Sequence, residues 1–135
     1  MHKTLFAYGT LLDADVRRVV LGSSMSQVSV VKASFLEHAC LKLPDETYPI
    51  LTEKPGEFVR GAVLHGLDDD LWKRVEFFES DEYELQRIAV TTDNGVEETW
   101  CYGAGNIMEG ASETWSLANW QSLHKPQFLD MIGQY

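Results

Sequence analysis

Two short segments hold the residues whose types and spacing could do chemistry. They are Tyr8-Gly9-Thr10-Leu11-Leu12 and Glu76-Phe77-Phe78-Glu79-Ser80-Asp81-Glu82-Tyr83. In the first, a glycine turn between a strand and a helix start gathers backbone N–H groups without intrahelical partners. Such a cradle suits a carboxylate, a phosphate or a developing oxyanion. In the second, Leu71, Trp72, Val75 and Phe78 recur at helical spacing. On that helix Glu79 stands about 80° from Leu71 and about 40° from Val75, on the flank of the apolar stripe, whereas Glu76 falls about 140° from Leu71, toward solvent. Glu79 would also occupy the last turn, where the helix dipole disfavours negative charge, and burial acts in the same direction. A carboxyl raised toward neutrality can accept and return protons near pH 7. Bland readings stand beside both segments: Glu79 as a cap or strand-end hydrogen-bond acceptor, and Gly9 as ordinary turn chemistry.

Other chemistries find little support. His2, His38, His65 and His124 show no metal-ligand spacing, and neither Cys40 nor Cys101 belongs to a C-x-x-C, so a structural zinc site is not expected. Gly103-Ala104-Gly105 with Gly110 lacks the G-x-G-x-x-G spacing and follows a hairpin, which argues against dinucleotide binding. No nucleophile elbow, P-loop or H-E-x-x-H is present.

The elements that must position the two segments are readable from pattern. Leu5 to Tyr8 is apolar on both alternating faces, as a central strand should be. Asp13 can cap a helix from Ala14 to Leu21, with Val16, Val19 and Val20 on one stripe and Gly22 at its exit. One or two strands are predicted from Gln27 to Leu43, then a short extended piece from Tyr48 to Leu51, a turn at Lys54-Pro55-Gly56-Glu57 and a strand from Phe58 to Gly66. Gly61 and Gly66 in that strand suggest a bulge or a close approach of backbone or ligand. One of Asp68, Asp69 and Asp70 caps the next helix. Strands from Tyr83 to Thr92 and Glu97 to Tyr102 flank a hairpin turn at Asp93-Asn94-Gly95. Ser116 can cap the last helix with Trp115 and Trp120 as a hydrophobic staple, and Pro126 should kink or end it. The order β-α-β-β-β-α-β-β-α, with hairpins outnumbering βαβ units, favours an α+β fold built on a mixed, barrel-like β-sheet with surrounding helices.

The chain has 135 residues, 44% of them hydrophobic and 24% charged, as expected of one globular domain spanning 1–135. Its net charge of −10 opposes the phosphate neutralisation that nucleic-acid binding requires. No apolar run approaches the ~20 residues of a membrane span, and nothing at the N-terminus has the form of a signal peptide, so a cytoplasmic location with no membrane partner is expected. The two cysteines are expected to be free thiols. The sequence leaves the oligomeric state open.

The residues resemble the γ-glutamylcyclotransferase-like superfamily, especially its AIG2-like and small bacterial branch. Phe6-Ala7-Tyr8-Gly9-Thr10-Leu11 is similar to that family's Y-G-[ST]-L loop. Tyr48-Pro49-Ile50, Gly56 to Gly61, Leu71 to Tyr83 (against L-x-x-L-D-x-x-E-G-x-x-Y) and the tryptophan-rich stretch from Trp115 to Phe128 extend the likeness nearly end to end. The resemblance implies a mixed barrel whose cavity is formed by the loop and one glutamate, matched here by Glu79. It further implies cyclisation of a γ-glutamyl amine or amino acid to 5-oxoproline, with Glu79 as general acid/base, Tyr8, Gly9, Thr10, Leu11 and Tyr83 around the substrate, and no cofactor or metal. Three positions depart from the pattern: Glu76 replaces an aspartate, Ser80 a glycine, and Leu85 an arginine, with Arg87 two places on. These departures keep two alternatives open, a non-catalytic module that binds a small carboxylate and a lyase or hydrolase acting on another small metabolite.

Overall fold

The computed structural model describes residues 3–42, 49–79, 84–103 and 113–132. Its elements run β1 (Lys3–Ala7), α1 (Ala14–Leu21), β2 (Ser29–Lys42), β3 (Pro49–Leu67), α2 (Asp69–Glu79), β4 (Glu84–Thr92), β5 (Gly95–Gly103), β6 (Glu113–Thr114), α3 (Leu117–Leu123) and α4 (Lys125–Ile132). Strands β3-β1-β5-β4-β2 are neighbours in that order, and β2 pairs back onto β3, closing a five-stranded barrel to which β6 adds on the β2 side. β1 and β5 run parallel, and the other pairs are antiparallel. This is the α+β, barrel-like sheet with surrounding helices that the element order implies.

Alternation along the strands divides the apolar residues into two cores. Phe6, Tyr8, Ala33, Val59, Val63, Val90 and Cys101 come from or adjoin the five barrel strands and fill the interior. Leu5, Ala7, Leu64 and Tyr102 point the other way and meet Val16 and Val20 of α1, Leu71 and Val75 of α2, and Trp120 of α3. Among the described residues no helix is long and apolar enough to cross a membrane.

Local chemistry sets the helix ends. Asp13 Oδ1 accepts from the N–H groups of Asp15 and Val16 at 2.9 and 3.1 Å, and Gly22 leaves α1 with φ 65°. Asp68 accepts from Leu71 N–H at 2.9 Å and starts α2. Ser116 Oγ accepts from Asn119 N–H at 3.3 Å, with Trp115 and Trp120 buried on either side as a staple. The last helix breaks at His124, and α4 begins anew with Pro126 in its first turn, where a missing N–H costs nothing.

Two expectations need correction. β2 is a single strand, one of the two alternatives expected, but it begins at Ser29 and not at Gln27, which belongs to a 3-10 turn spanning Gly22–Gln27. The pieces flanking Lys54-Pro55-Gly56-Glu57 are one strand, because both pair with β2: Leu36 faces Phe58 and His38 faces Glu53, so the ladder steps over the excursion. Glu37, at φ 63°, absorbs the step and accepts from Gly56 N–H at 2.8 Å. The two strand glycines do mark close approach. A Cβ on Gly61 would lie 2.4 Å from the carbonyl oxygen of Ala7, and one on Gly66, whose φ is 90°, would lie 2.5 Å from that of Gln27.

Candidate functional site

The glycine loop begins where β1 leaves the barrel. The ring of Tyr8 packs in the interior, stacked on Phe6, and its hydroxyl donates to the backbone carbonyl of Tyr102 near the end of β5. Gly9 then turns the chain into a 3-10 turn, Thr10–Leu12, in which Leu12 N–H donates to Gly9 O and Asp13 N–H to Thr10 O, both at 3.0 Å. The N–H groups of Thr10 and Leu11 precede the first hydrogen bond of that turn, so the turn itself gives them no partner. Thr10 and Leu11 are themselves buried, Leu11 in the core beneath α1, so these two N–H groups lie behind the surface that Tyr8 and Leu12 present.

The loop is fastened from behind. Arg17 donates to Leu11 O at 2.8 Å. Asp13, 2% exposed, uses Oδ1 to cap α1 and Oδ2 to accept from Gln121 of α3 and from Lys125 of α4, each at 2.8 Å. Lys125 also pairs with Asp15 at 2.8 Å, and Asp15 with Arg18. Burial alone would push the Asp13 carboxyl up, but Lys125, Gln121 and the Val16 N–H together outweigh it and hold Asp13 below the ordinary aspartate value. Hydrogen bonds to the two aspartates hold Lys125 above the ordinary lysine value. Sequence pattern identified Asp13 as a cap but gave no sign of its second set of partners, which lie more than a hundred residues away on other helices.

In the second segment, Glu76 is exposed, as helix periodicity predicts, and accepts from Trp72 Nε1 at 3.2 Å. Glu79 is the last residue of α2; its backbone is described and its side chain is not, and Tyr83 lies outside the described residues. Chain connectivity still limits where the end of α2 can be. Glu79 is five residues from Glu84, a reach of at most about 18 Å. Glu84 opens β4 opposite Gly103, and the next pair is Leu85 with Tyr102, whose carbonyl holds the Tyr8 hydroxyl. The last turn of α2 therefore lies within that reach of the barrel end from which the glycine loop emerges.

A cavity of about 380 Å³ adjoins the loop. Tyr8 and Leu12, which bracket Gly9–Leu11, form one wall, and Cys40, Phe58, Arg60 and Trp115 form much of the rest. Lys54 and Glu57 also line it and pair with each other at 2.8 Å. Glu57, Phe58, Arg60 and Trp115 fall in stretches that carry the family resemblance, but pattern alone gave them only turn, strand and staple roles. The loops expected to shape the mouth, Pro44 to Tyr48 and Gly103 to Gly110, fall outside the described residues apart from the strand end at Gly103.

The remaining reactive groups have structural surroundings. Both cysteines are free thiols, and burial pushes Cys40 up to about 12, which removes it as a nucleophile near neutral pH. His65 lies 3.1 Å from Glu97, and His38 stacks on Phe35. Among the described residues no group of His, Cys, Asp and Glu is arranged to hold a metal ion.

Comparison with known proteins adds to this geometry. Residues 5–122 match the family described as gamma-glutamyl cyclotransferase, AIG2-like. AIG2-like protein D of Arabidopsis thaliana is 28% identical over 142 residues, covering 100% of this chain and 89% of that protein. A solution structure of an Arabidopsis thaliana protein superposes with a TM-score of 0.73 at 23% identity, covering 96% of this chain and 87% of that one. A solved gamma-glutamyl cyclotransferase superposes with a TM-score of 0.63 at 16% identity, covering 83% and 69% respectively, a likeness of fold.

Proposed function

The chain belongs to the gamma-glutamyl cyclotransferase, AIG2-like family, and from that premise we propose that it cyclises a γ-glutamyl amide, releasing 5-oxoproline and a free amine or amino acid. The α-nitrogen of the glutamyl group attacks its own γ-carbonyl. One C–N bond forms and the amide C–N bond breaks; the α-ammonium loses two protons, one to become nucleophilic and one on becoming the lactam nitrogen, and the leaving nitrogen gains two as it departs as an ammonium. No water, electron or further reactant enters the balance. Catalysis then consists of holding a folded substrate, stabilising the oxyanion and passing protons from the α-nitrogen to the leaving nitrogen.

Each requirement has a candidate in this chain. The Thr10 and Leu11 N–H groups are the donors for the oxyanion or the substrate carboxylate. Glu79, at the end of α2, is the proton shuttle, and Tyr8 and Tyr83 line the bound glutamyl group. The observation that carries this reading is the loop itself: a 3-10 turn whose flanking residues Tyr8 and Leu12 line a cavity, fastened through Asp13, Arg17, Gln121 and Lys125. Such fastening lets the donors act without reorganising, which is what makes an oxyanion site effective.

The test is a panel of γ-glutamyl amines and γ-glutamyl amino acids, screened by mass spectrometry for 5-oxoproline with Glu79→Gln as the control. Release by the wild type and its loss in Glu79→Gln is the expected result. Tight binding without turnover would instead make the protein a carboxylate-binding module, and a different product would make it a lyase or hydrolase.

A further inference from the structure

We infer that Arg60 is a specificity-determining residue that selects γ-glutamyl substrates whose leaving group is an apolar α-amino acid with a free carboxylate, in preference to the corresponding simple amines. This inference rests on the cyclotransferase reading and narrows it. The cavity beside the glycine loop is walled by Leu12, Cys40, Phe58 and Trp115, and so suits an apolar body. Among the described residues its charged lining is Lys54, Glu57 and Arg60. Lys54 and Glu57 satisfy each other at 2.8 Å, whereas among the described residues no carboxylate lies within ion-pair distance of Arg60. The described lining therefore carries one uncompensated positive charge.

Phe58 and Arg60 are two residues apart on β3 and project from the same face of the strand. The guanidinium carbon lies 5.5 Å from the centre of the Phe58 ring, whose residue is 50% exposed. A planar cation resting against an accessible aromatic face leaves its N–H fork open for a carboxylate while the ring meets an apolar side chain. Leu36, the cross-strand partner of Phe58, is likewise exposed beside it.

Net charge gives this arrangement a task. At neutral pH a γ-glutamyl dipeptide carries two carboxylates and one ammonium, whereas the γ-glutamyl amine lacking the second carboxylate is neutral. A protein of net charge −10 repels the former at long range. An unpaired arginine in the cavity offsets that repulsion where the second carboxylate would lie, since Tyr8 and Leu12 bring the loop and Arg60 into one lining.

The experiment compares γ-glutamyl-phenylalanine with γ-glutamyl-phenethylamine, which differ by the one carboxylate. The wild type is expected to favour the dipeptide in kcat/KM by about tenfold, the scale of one charge-assisted contact. Arg60→Met should bring that ratio close to one, and Arg60→Lys should retain part of it, with thermal melts establishing that both variants fold. A wild-type ratio near one, or a ratio that Arg60→Met leaves unaltered, overturns the inference. If the wild type turns over neither compound, the cyclotransferase reading fails for this pair. Calorimetric binding of the same two compounds to the wild type and Arg60→Met then decides the inference: an Arg60-dependent preference for the dipeptide supports it, and equal or absent binding overturns it.

Discussion

The carboxylate of Asp13, at the first turn of α1, lies 2.8 Å from the ammonium of Lys125 at the start of α4. The contact joins the residue immediately after the glycine loop to the end of the described chain, and it makes the loop's support dependent on charge. Asp13→Ala removes both the cap and the anchor and is expected to cost about 1–2 kcal/mol, the range of lost N-caps. Asp13→Asn should cost less, because an amide oxygen still caps α1. The pH dependence follows from the directions of the two shifts. Asp13 is held below its unfolded value, so its stabilisation is present above about pH 4 and is lost as pH falls through the folded value. Lys125 is held above its unfolded value, so its contribution is complete below about pH 10 and is lost at higher pH. Melting temperatures of wild type and Asp13→Asn should therefore converge in acid, and a constant difference down to pH 3 would contradict the assignment.

Glu79 and Glu76 are separated by less than one turn of α2, and the proposed mechanism needs only the first. Glu79→Gln should lower 5-oxoproline release by at least about a hundredfold, the lower range for loss of a general acid or base. Glu76→Gln should alter it by no more than about threefold, because an amide oxygen can still accept from Trp72 Nε1. Steady-state rates on any substrate that the wild type turns over provide the measurement. Reversed sensitivities would mean that the proton shuttle has been assigned to the wrong carboxylate.

Gly61 and Gly56 are both on β3 and should respond very differently to alanine. At Gly61 the new methyl would sit 2.4 Å from Ala7 O and 2.7 Å from the Phe6 ring, forcing β1 and β3 apart. A loss of roughly 2–3 kcal/mol is expected, at the upper end for overpacking. At Gly56 no atom lies within 4 Å, and only the φ of 85° resists substitution, at about 1 kcal/mol. Urea unfolding of the two variants distinguishes these costs.

Cys40 lines the cavity, yet it should resist alkylation. With its thiol pushed up to about 12, the thiolate fraction at pH 8 is about one in ten thousand, so native labelling by iodoacetamide should be slow and labelling in denaturant complete. The same shift gives stability a sign. The fold favours the neutral thiol, so that contribution is whole below the unfolded value of about 8.5 and declines as pH rises from there toward 12. Rapid native labelling of Cys40 at pH 8, mapped by peptide mass spectrometry, would refute this.

Features whose physical causes are local in the chain were legible in the sequence. The Asp13 cap, the Ser116 cap with its tryptophan staple, the hairpin at Asp93-Asn94 and the outward face of Glu76 each depend on residues within a few positions of one another. Tyr8, Gly9, Thr10 and Leu11 were found together because they are consecutive. Barrel closure, the continuity of β3 across Lys54–Glu57, and the link from Asp13 to Gln121 and Lys125 depend on partners distant in the chain. Local periodicity carries no information about such partners. Arg60, within the Gly56–Gly61 stretch of the resemblance, had no role assigned for the same reason, since its interest arises from what shares its cavity.

The parallel pairing of β1 with β5 has a consequence for biosynthesis. β1 leaves the ribosome before the other strands, yet its neighbours in the barrel are β3 and β5, and the Tyr8 hydroxyl is received by Tyr102 near the end of β5. β1, made before the other strands of the barrel, must therefore wait, partly unpaired, until β5 has been translated. The glycine loop attached to it acquires its final shape only after that delay, so a nascent chain stalled before β5 would hold the loop's residues without the loop's geometry.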